Sequence, residues 1–175
     1  MHETSHNWMS ESATKYLDQS APLKIVDIGS CKPRKQTMTY KDIFTSRPNW
    51  EYVGADVCNG PNVDVLIDAD YKWDIFPDNS FDVVVSGQVL EHVDAPWKFS
   101  LAVARICRKG GICMITAPSL WKEHRCPLDC WRLMADGMRS LFVKYAPFEE
   151  LECRTVEYGS RLRRHGDTYF VGRKL

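Results

Sequence analysis

The chain has 175 residues, enough for one α/β domain with a real core. Lys plus Arg equals Asp plus Glu at 23 each, so no bulk charge points to nucleic acid or a membrane surface. No run is long and apolar enough to span a bilayer, and no signal-peptide pattern opens the chain. The charge is uneven: residues 64–94 are acid-rich, and the stretch from Arg154 onward is base-rich. Solvated loops and a solvated tail are the plain reading of both. The seven cysteines include no Cys-x-x-Cys pair, and several sit in apolar strand or helix contexts. Reduced thiols and a cytoplasmic location are therefore expected.

Residues 1–20 carry Trp8, Met9, Ala13, Tyr16 and Leu17, a weakly amphipathic helical extension expected to lie over a ligand. Residues 23–29 form the first strand, a buried run that enters the turn Asp27-Ile28-Gly29. A polar loop follows, then a short helix from Tyr40 to Ser46, stopped near Pro48. The second strand, Tyr52 to Asp56, ends on an acid. Val63–Ile67 is the third strand, with Asp68-Ala69-Asp70 after it. A turn cluster at Pro77-Asp78-Asn79-Ser80 leads into the fourth, Phe81–Ser86. Asp94 is expected to cap a helix with Pro96 in its first turn and Gly110-Gly111 at its end. Ile112–Thr116 is the fifth strand. After a long connection, Asp136 opens a helix with Met138, Leu141, Phe142 and Tyr145 on one face. Leu151–Tyr158 and Thr168–Arg173 are expected to pair antiparallel. Residues 1–175 make a single domain, without repeat or linker. A turn after one strand and an acid at the tip of the next form the nucleoside-holding half of a Rossmann-type sheet.

Four segments carry a resemblance. They are Val26-Asp27-Ile28-Gly29-Ser30; Tyr52–Asp56 with Gly60–Asp64; the block Pro77–His92, ending Ser86-Gly87-Gln88-Val89-Leu90-Glu91-His92; and Arg105–Gly111 with its following strand. Together they resemble the class I S-adenosylmethionine-dependent methyltransferases, in particular the small methyltransferase-type-11-like domains. The resemblance spans residues 24–118. It implies a Rossmann-like seven-stranded, mostly parallel sheet with an antiparallel last strand and helices on both faces. It implies S-adenosylmethionine as cofactor. The first loop departs from the family, since Cys31-Lys32-Pro33-Arg34 stands where further glycines are usual. Lys32, Arg34 and Lys35 are the candidates to supply charge there.

The cofactor-binding candidates are Asp27, Gly29, Ser30, Asp56, Val57, Asp68, Ala69, Ser86 and Gly87. Gly29 lets backbone approach a ligand, or simply turns the chain. Asp27 meets the cofactor amine or caps the loop. Asp56 at a strand tip accepts from two ribose hydroxyls. By the resemblance, Val57 packs on adenine, Asp68 accepts its amino group beside the Ala69 backbone, and Ser86 and Gly87 flank the methionine part. An Asx turn is the competing reading of Asp68.

Residues 118–135 follow the fifth strand on the edge where open α/β sheets bind ligands, and form an acceptor-side loop. Its competing reading is structural, with Asp129 paired to Arg132 and Trp131 packed. The catalytic candidates are His124 first, then His92, with Asp129. His92 is also read as a packing residue. No metal is expected, because His124-x-Cys126-x-x-x-Cys130 has an unusual spacing and lacks a fourth ligand. The favoured acceptor is a small molecule, a hydroxyl of a sugar or natural-product scaffold. RNA or protein methylation is the alternative, hinted at only by Arg161-Leu162-Arg163-Arg164. A non-catalytic partner subunit is the third reading. Neither a membrane nor nucleic acid is expected as a partner, and a homo-oligomer stays open.

Overall fold

The structure, a computed structural model, describes residues 3–32, 37–160 and 163–175. Arg34, Lys35, Arg161, Leu162 and the Arg163 side chain lie outside what is described. Among the described residues one seven-stranded sheet is built from β1 (Leu23–Ile28), β2 (Trp50–Asp56), β3 (Val65–Leu66), β4 (Phe81–Gly87), β5 (Cys107–Leu120), β6 (Phe148–Ser160) and β7 (Arg163–Lys174). Their order is β3-β2-β1-β4-β5-β7-β6, and only β7 runs against its neighbours.

The central strands are apolar throughout because helices cover both faces, and alternate residues feed opposite cores. Val26 and Val84 join Phe99, Val103 and Ile106 of α3 (Pro96–Ile106). Ile25, Val83 and Val85 join Trp8 and Met9 of α1 (Glu3–Tyr16) and Phe44 of α2 (Tyr40–Phe44) on the other side. The order of the sheet reverses between β1 and β4, so their carboxyl ends part and open a crevice.

Several local expectations change. The helix α1 packs on the Ile25, Val83 and Val85 face of the sheet. Its buried Ser5, Trp8, Met9, Ser12 and Ala13 recur at helical spacing and press it onto that face. There Trp8 stacks on Tyr169 at 4.7 Å. Asp94 does not cap α3: the N-cap is Ala95, and Asp94 accepts a hydrogen bond from the Tyr71 hydroxyl at 2.6 Å. Gly110 and Gly111 do not end the helix. It stops at Ile106 because Cys107 turns extended to pair with Phe81, and the glycines fall where the register against β4 shifts. The helix at Asp136 is α4 (Ala135–Arg139), continued by a wide turn over Ser140–Tyr145. Met138, Leu141 and Phe142 are buried, whereas Tyr145 is exposed. No described helix is long and apolar enough to cross a membrane.

Candidate functional site

The parallel register places Asp27 beside both Gly54 and Val85, one residue short of the strand end. Asp27 is buried and accepts a hydrogen bond from the Tyr52 hydroxyl at 2.8 Å. Burial pushes its carboxyl up to about 7, with Tyr52 opposing and Asp56 adding to the shift. Gly29 follows with φ of 86°, a left-handed conformation that suits glycine. Its backbone lies so close to Val89 that an added Cβ would fall 2.1 Å from Val89 Cγ2.

The loop after β1 is tied down by its own amides. Those of Gly29 and Ser30 both donate to the Ala55 carbonyl, at 2.8 and 3.2 Å. The Cys31 amide donates to Asp56 Oδ2 at 2.9 Å and the Lys32 amide to the Pro61 carbonyl at 3.0 Å. The Ser30 hydroxyl donates to the Asn62 carbonyl at 3.0 Å. Residues 29–32 are thus braced by β2 and the loop beyond it.

Asp56 ends β2. Besides Cys31, it accepts the Cys58 amide on Oδ1 at 3.0 Å. A carboxylate accepts about four hydrogen bonds, so lone pairs remain for a ligand. Asp68 accepts the Lys72 and Trp73 amides at 3.0 and 2.8 Å, which is the Asx-type turn. Burial works against its charge, but those amide bonds hold its carboxyl below the usual value.

These residues meet around a cavity of about 360 Å³ over the carboxyl ends of β1, β2 and β3. Gly29, Asp56, Val57, Asp68 and Ala69 line it, and Asp70 and Asp94 add two further carboxylates. The volume suits a small ligand or part of a larger one. Four carboxylates in one wall favour a ligand with positive charge. Asp27, Ser30, Ser86 and Gly87 do not line this cavity. The Ser86 hydroxyl donates to the Ile28 carbonyl at 2.8 Å, bracing β4 against β1. Gly87 lies under Tyr40, whose Oη is 2.1 Å from where a Cβ would stand. Sequence reasoning passed over Tyr40. Its hydroxyl is hydrogen-bonded to Ser5 at 2.7 Å, and Ser5 to Thr116 at 3.0 Å, a buried polar group at the carboxyl ends of β4 and β5.

The connection after β5 docks onto the segment after β4. The Cys130 amide donates to the Glu91 carbonyl at 2.6 Å, and Trp131 Nε1 donates to the Val93 carbonyl at 2.7 Å. His92 Nδ1 is 2.5 Å from the Leu128 carbonyl. Cys126, Pro127 and Leu128 thereby close one side of the cavity, with His92 at its edge. The rings of His92 and His124 meet edge to face at 5.0 Å. Asp129 does pair with Arg132, through contacts at 2.5 and 2.8 Å, and also accepts the His124 amide at 2.6 Å. The Arg132 bonds hold the Asp129 carboxyl far below the usual range, so it orients neighbours rather than taking protons. Glu91, also overlooked in the sequence, is buried beside the two imidazoles, and burial pushes its carboxyl up to about 7.

The family model described as a methyltransferase domain matches residues 44–115. No curated protein matches the sequence. Several solved structures share the fold. A SAM-dependent methyltransferase from Methanosarcina mazei superposes with a TM-score of 0.70 at 16% identity, over 93% of this chain and 96% of its own. A protein from Bacillus halodurans described as a methyltransferase gives 0.71 at 13% identity, over 98% and 99%. The 1,6-didemethyltoxoflavin N1-methyltransferase of Burkholderia thailandensis, solved with bound 1,6-didemethyltoxoflavin and S-adenosylhomocysteine, gives 0.71 at 14% identity, over 98% and 79%.

Proposed function

We propose that this class I methyltransferase domain holds S-adenosylmethionine over the carboxyl ends of β1 to β3 and passes its methyl group to a hydroxyl of a small acceptor. The carrying observation is the acid-lined cavity with Asp56 at the tip of β2. The cofactor is a cationic nucleoside. Asp56 takes the ribose hydroxyls, Val57 and Ala69 flank the base, and Asp68 takes the adenine amino group with its spare lone pairs. Asp27, buried near the end of β1, orients the Gly29–Ser30 turn or meets the cofactor amine. Ser86 and Gly87 support the far end from behind.

Methyl transfer is an in-line displacement. The carbon–sulfur bond breaks as the oxygen–carbon bond forms, so alignment does most of the work. The acceptor's proton leaves as its oxygen attacks. His124, turned by Asp129, is the first candidate to receive it and His92 the second. His92 borders the cavity and His124 lies behind it at 5.0 Å, where the 118–135 connection shapes the acceptor space. A sugar or natural-product hydroxyl is the favoured acceptor, met on this side by Cys126, Pro127, Leu128 and His92.

The reading as a non-catalytic subunit draws on one observation: the amides of residues 29–32 are all engaged within the protein. Calorimetry separates the two. The full chain is expected to bind S-adenosylmethionine, and Asp56→Ala to weaken binding by about 10- to 100-fold, as for loss of a charge-assisted hydrogen-bond pair. No heat of binding at millimolar cofactor would sink the catalytic reading. His124→Ala and Asp129→Ala are each expected to lower turnover by about 10²-fold with cofactor affinity retained. Unchanged turnover in both would remove these residues from the chemistry.

A further inference from the structure

Three potential ligand atoms converge beside the cavity. Glu91 sits in the tight turn Leu90–His92 after β4, is 1% exposed, and neither carboxylate oxygen has a hydrogen-bond partner among the described residues. Glu91 Oε1 is 3.7 Å from His92 Nε2 and 3.9 Å from His124 Nε2. The metal-ligating atoms of the three residues all lie within 4.8 Å of one another.

The far nitrogen of each ring fixes its tautomer. His92 Nδ1 lies on the Leu128 carbonyl at 2.5 Å and His124 Nδ1 on the Lys122 carbonyl at 3.1 Å. A carbonyl only accepts, so each Nδ1 carries the hydrogen and each Nε2 presents a lone pair. Two lone pairs and a buried carboxylate therefore face the same space. This is the arrangement of a metal-binding histidine, oriented through its second nitrogen. Asp129 does not complete the set, because Arg132 holds both its oxygens, but it lies 3.5 Å from His124 Nδ1 and steadies that ring.

We propose that Glu91, His92 and His124 form a binding site for a divalent transition-metal ion such as Mn²⁺, Co²⁺ or Zn²⁺. Nitrogen and carboxylate donors suit these ions better than Ca²⁺ or Mg²⁺. Ligands about 2.0–2.2 Å from one ion stand roughly 3 to 3.5 Å apart, so the Glu91 contacts at 3.7 and 3.9 Å, and the two imidazoles within 4.8 Å, must draw together by roughly 0.5 to 1.5 Å through side-chain rotation. Three protein ligands leave positions open, and His92 borders the cavity. Those positions take an oxygen donor, for which the acceptor hydroxyl is the natural ligand; its proton then passes to solvent. Only this last role rests on the methyltransferase reading. Loss of cofactor binding would overturn that reading and leave the ion site standing. Loss of the ion site would leave His124 and His92 as the bases.

The test is Co²⁺ titration of the chelator-treated full chain, read by visible absorption and by bound metal per chain. One equivalent is expected, displaced by Zn²⁺. His124→Ala, at an exposed loop position, is expected to weaken binding by about 100-fold or more, and Glu91→Gln likewise, with thermal melting to check its fold. A Cys126→Ser, Cys130→Ser double variant is expected to bind as the parent does. The proposal fails if no stoichiometric ion binds, if His124→Ala binds as tightly as the parent, or if the cysteine variant loses the metal.

Discussion

Gly29→Ala is expected to abolish cofactor binding in calorimetry and to destabilise the fold by about 3 kcal/mol, or ~6–12 °C in melting temperature. Two separate costs combine. The φ of 86° is a conformation that penalises any Cβ by about 1–2 kcal/mol. The methyl would also fall 2.1 Å from Val89 Cγ2, so Val89 must move. Val89 cannot move alone. It precedes the turn that carries Glu91 and His92, and it follows Gln88, held at φ of 60° with its amide on the Thr116 carbonyl. Gly29 and Val89 both line the cavity, so the clash is resolved at the expense of the ligand space. Adding Val89→Ala to Gly29→Ala relieves the contact but not the dihedral penalty. Partial recovery of the melting temperature is therefore expected. A single Gly29→Ala variant with parental affinity would show that the pocket is not where the cofactor sits.

The elements that were legible share one property: their signal is local. The strands through Ile25, Val83 and Cys113 are continuous apolar runs because both faces of the sheet are covered. Asp56 is the last residue of β2 and Asp68 stands two beyond β3, so an acid at the end of an apolar run marks the pocket wall. What escaped was decided by partners far away in sequence. Asp94 looks like a helix cap until Tyr71 takes its carboxylate. Gly110-Gly111 looks like a helix end, yet the helix stops earlier because Cys107 pairs with Phe81. Tyr40 reads as one more apolar residue of a short helix, and only the fold brings it over Gly87. Asp129 suits a catalytic role or a pair with Arg132, and the structure shows the pair. Glu91 is the most telling omission. Its neighbour His92 drew notice as a titratable side chain, while the glutamate passed as part of a family segment. Burial distinguishes the two, and burial is a property of the packed loop 118–135.

Stability is expected to fall as pH rises from about 4 to 7, and Asp27→Asn is expected to remove part of that slope. The folded carboxyl of Asp27 is pushed up to about 7, against an ordinary 3.8. Between those values the folded chain keeps a proton that the unfolded chain releases. The folded state binds more protons, so raising the pH favours unfolding. Below about 4 the carboxyl is protonated in both states and parent and variant match. Above about 7 it is ionised in both, and the parent carries the full cost of a buried charge, on the order of 4 kcal/mol. The asparagine oxygen still accepts the Tyr52 hydroxyl, so the variant keeps the contact and sheds the charge. Tyr52→Phe should act in the opposite sense, since it removes the donor that favours the ionised form and extends the slope to higher pH. Denaturant melts at pH 4, 6 and 8 would read these differences. A parental slope in Asp27→Asn would show that Asp27 is charged in the folded chain throughout. The same substitution should weaken binding of a cationic cofactor most at pH 8, where the parent's carboxylate is charged. A stability gain and an affinity loss that grow together with pH would mark Asp27 as a charge the fold retains for its ligand.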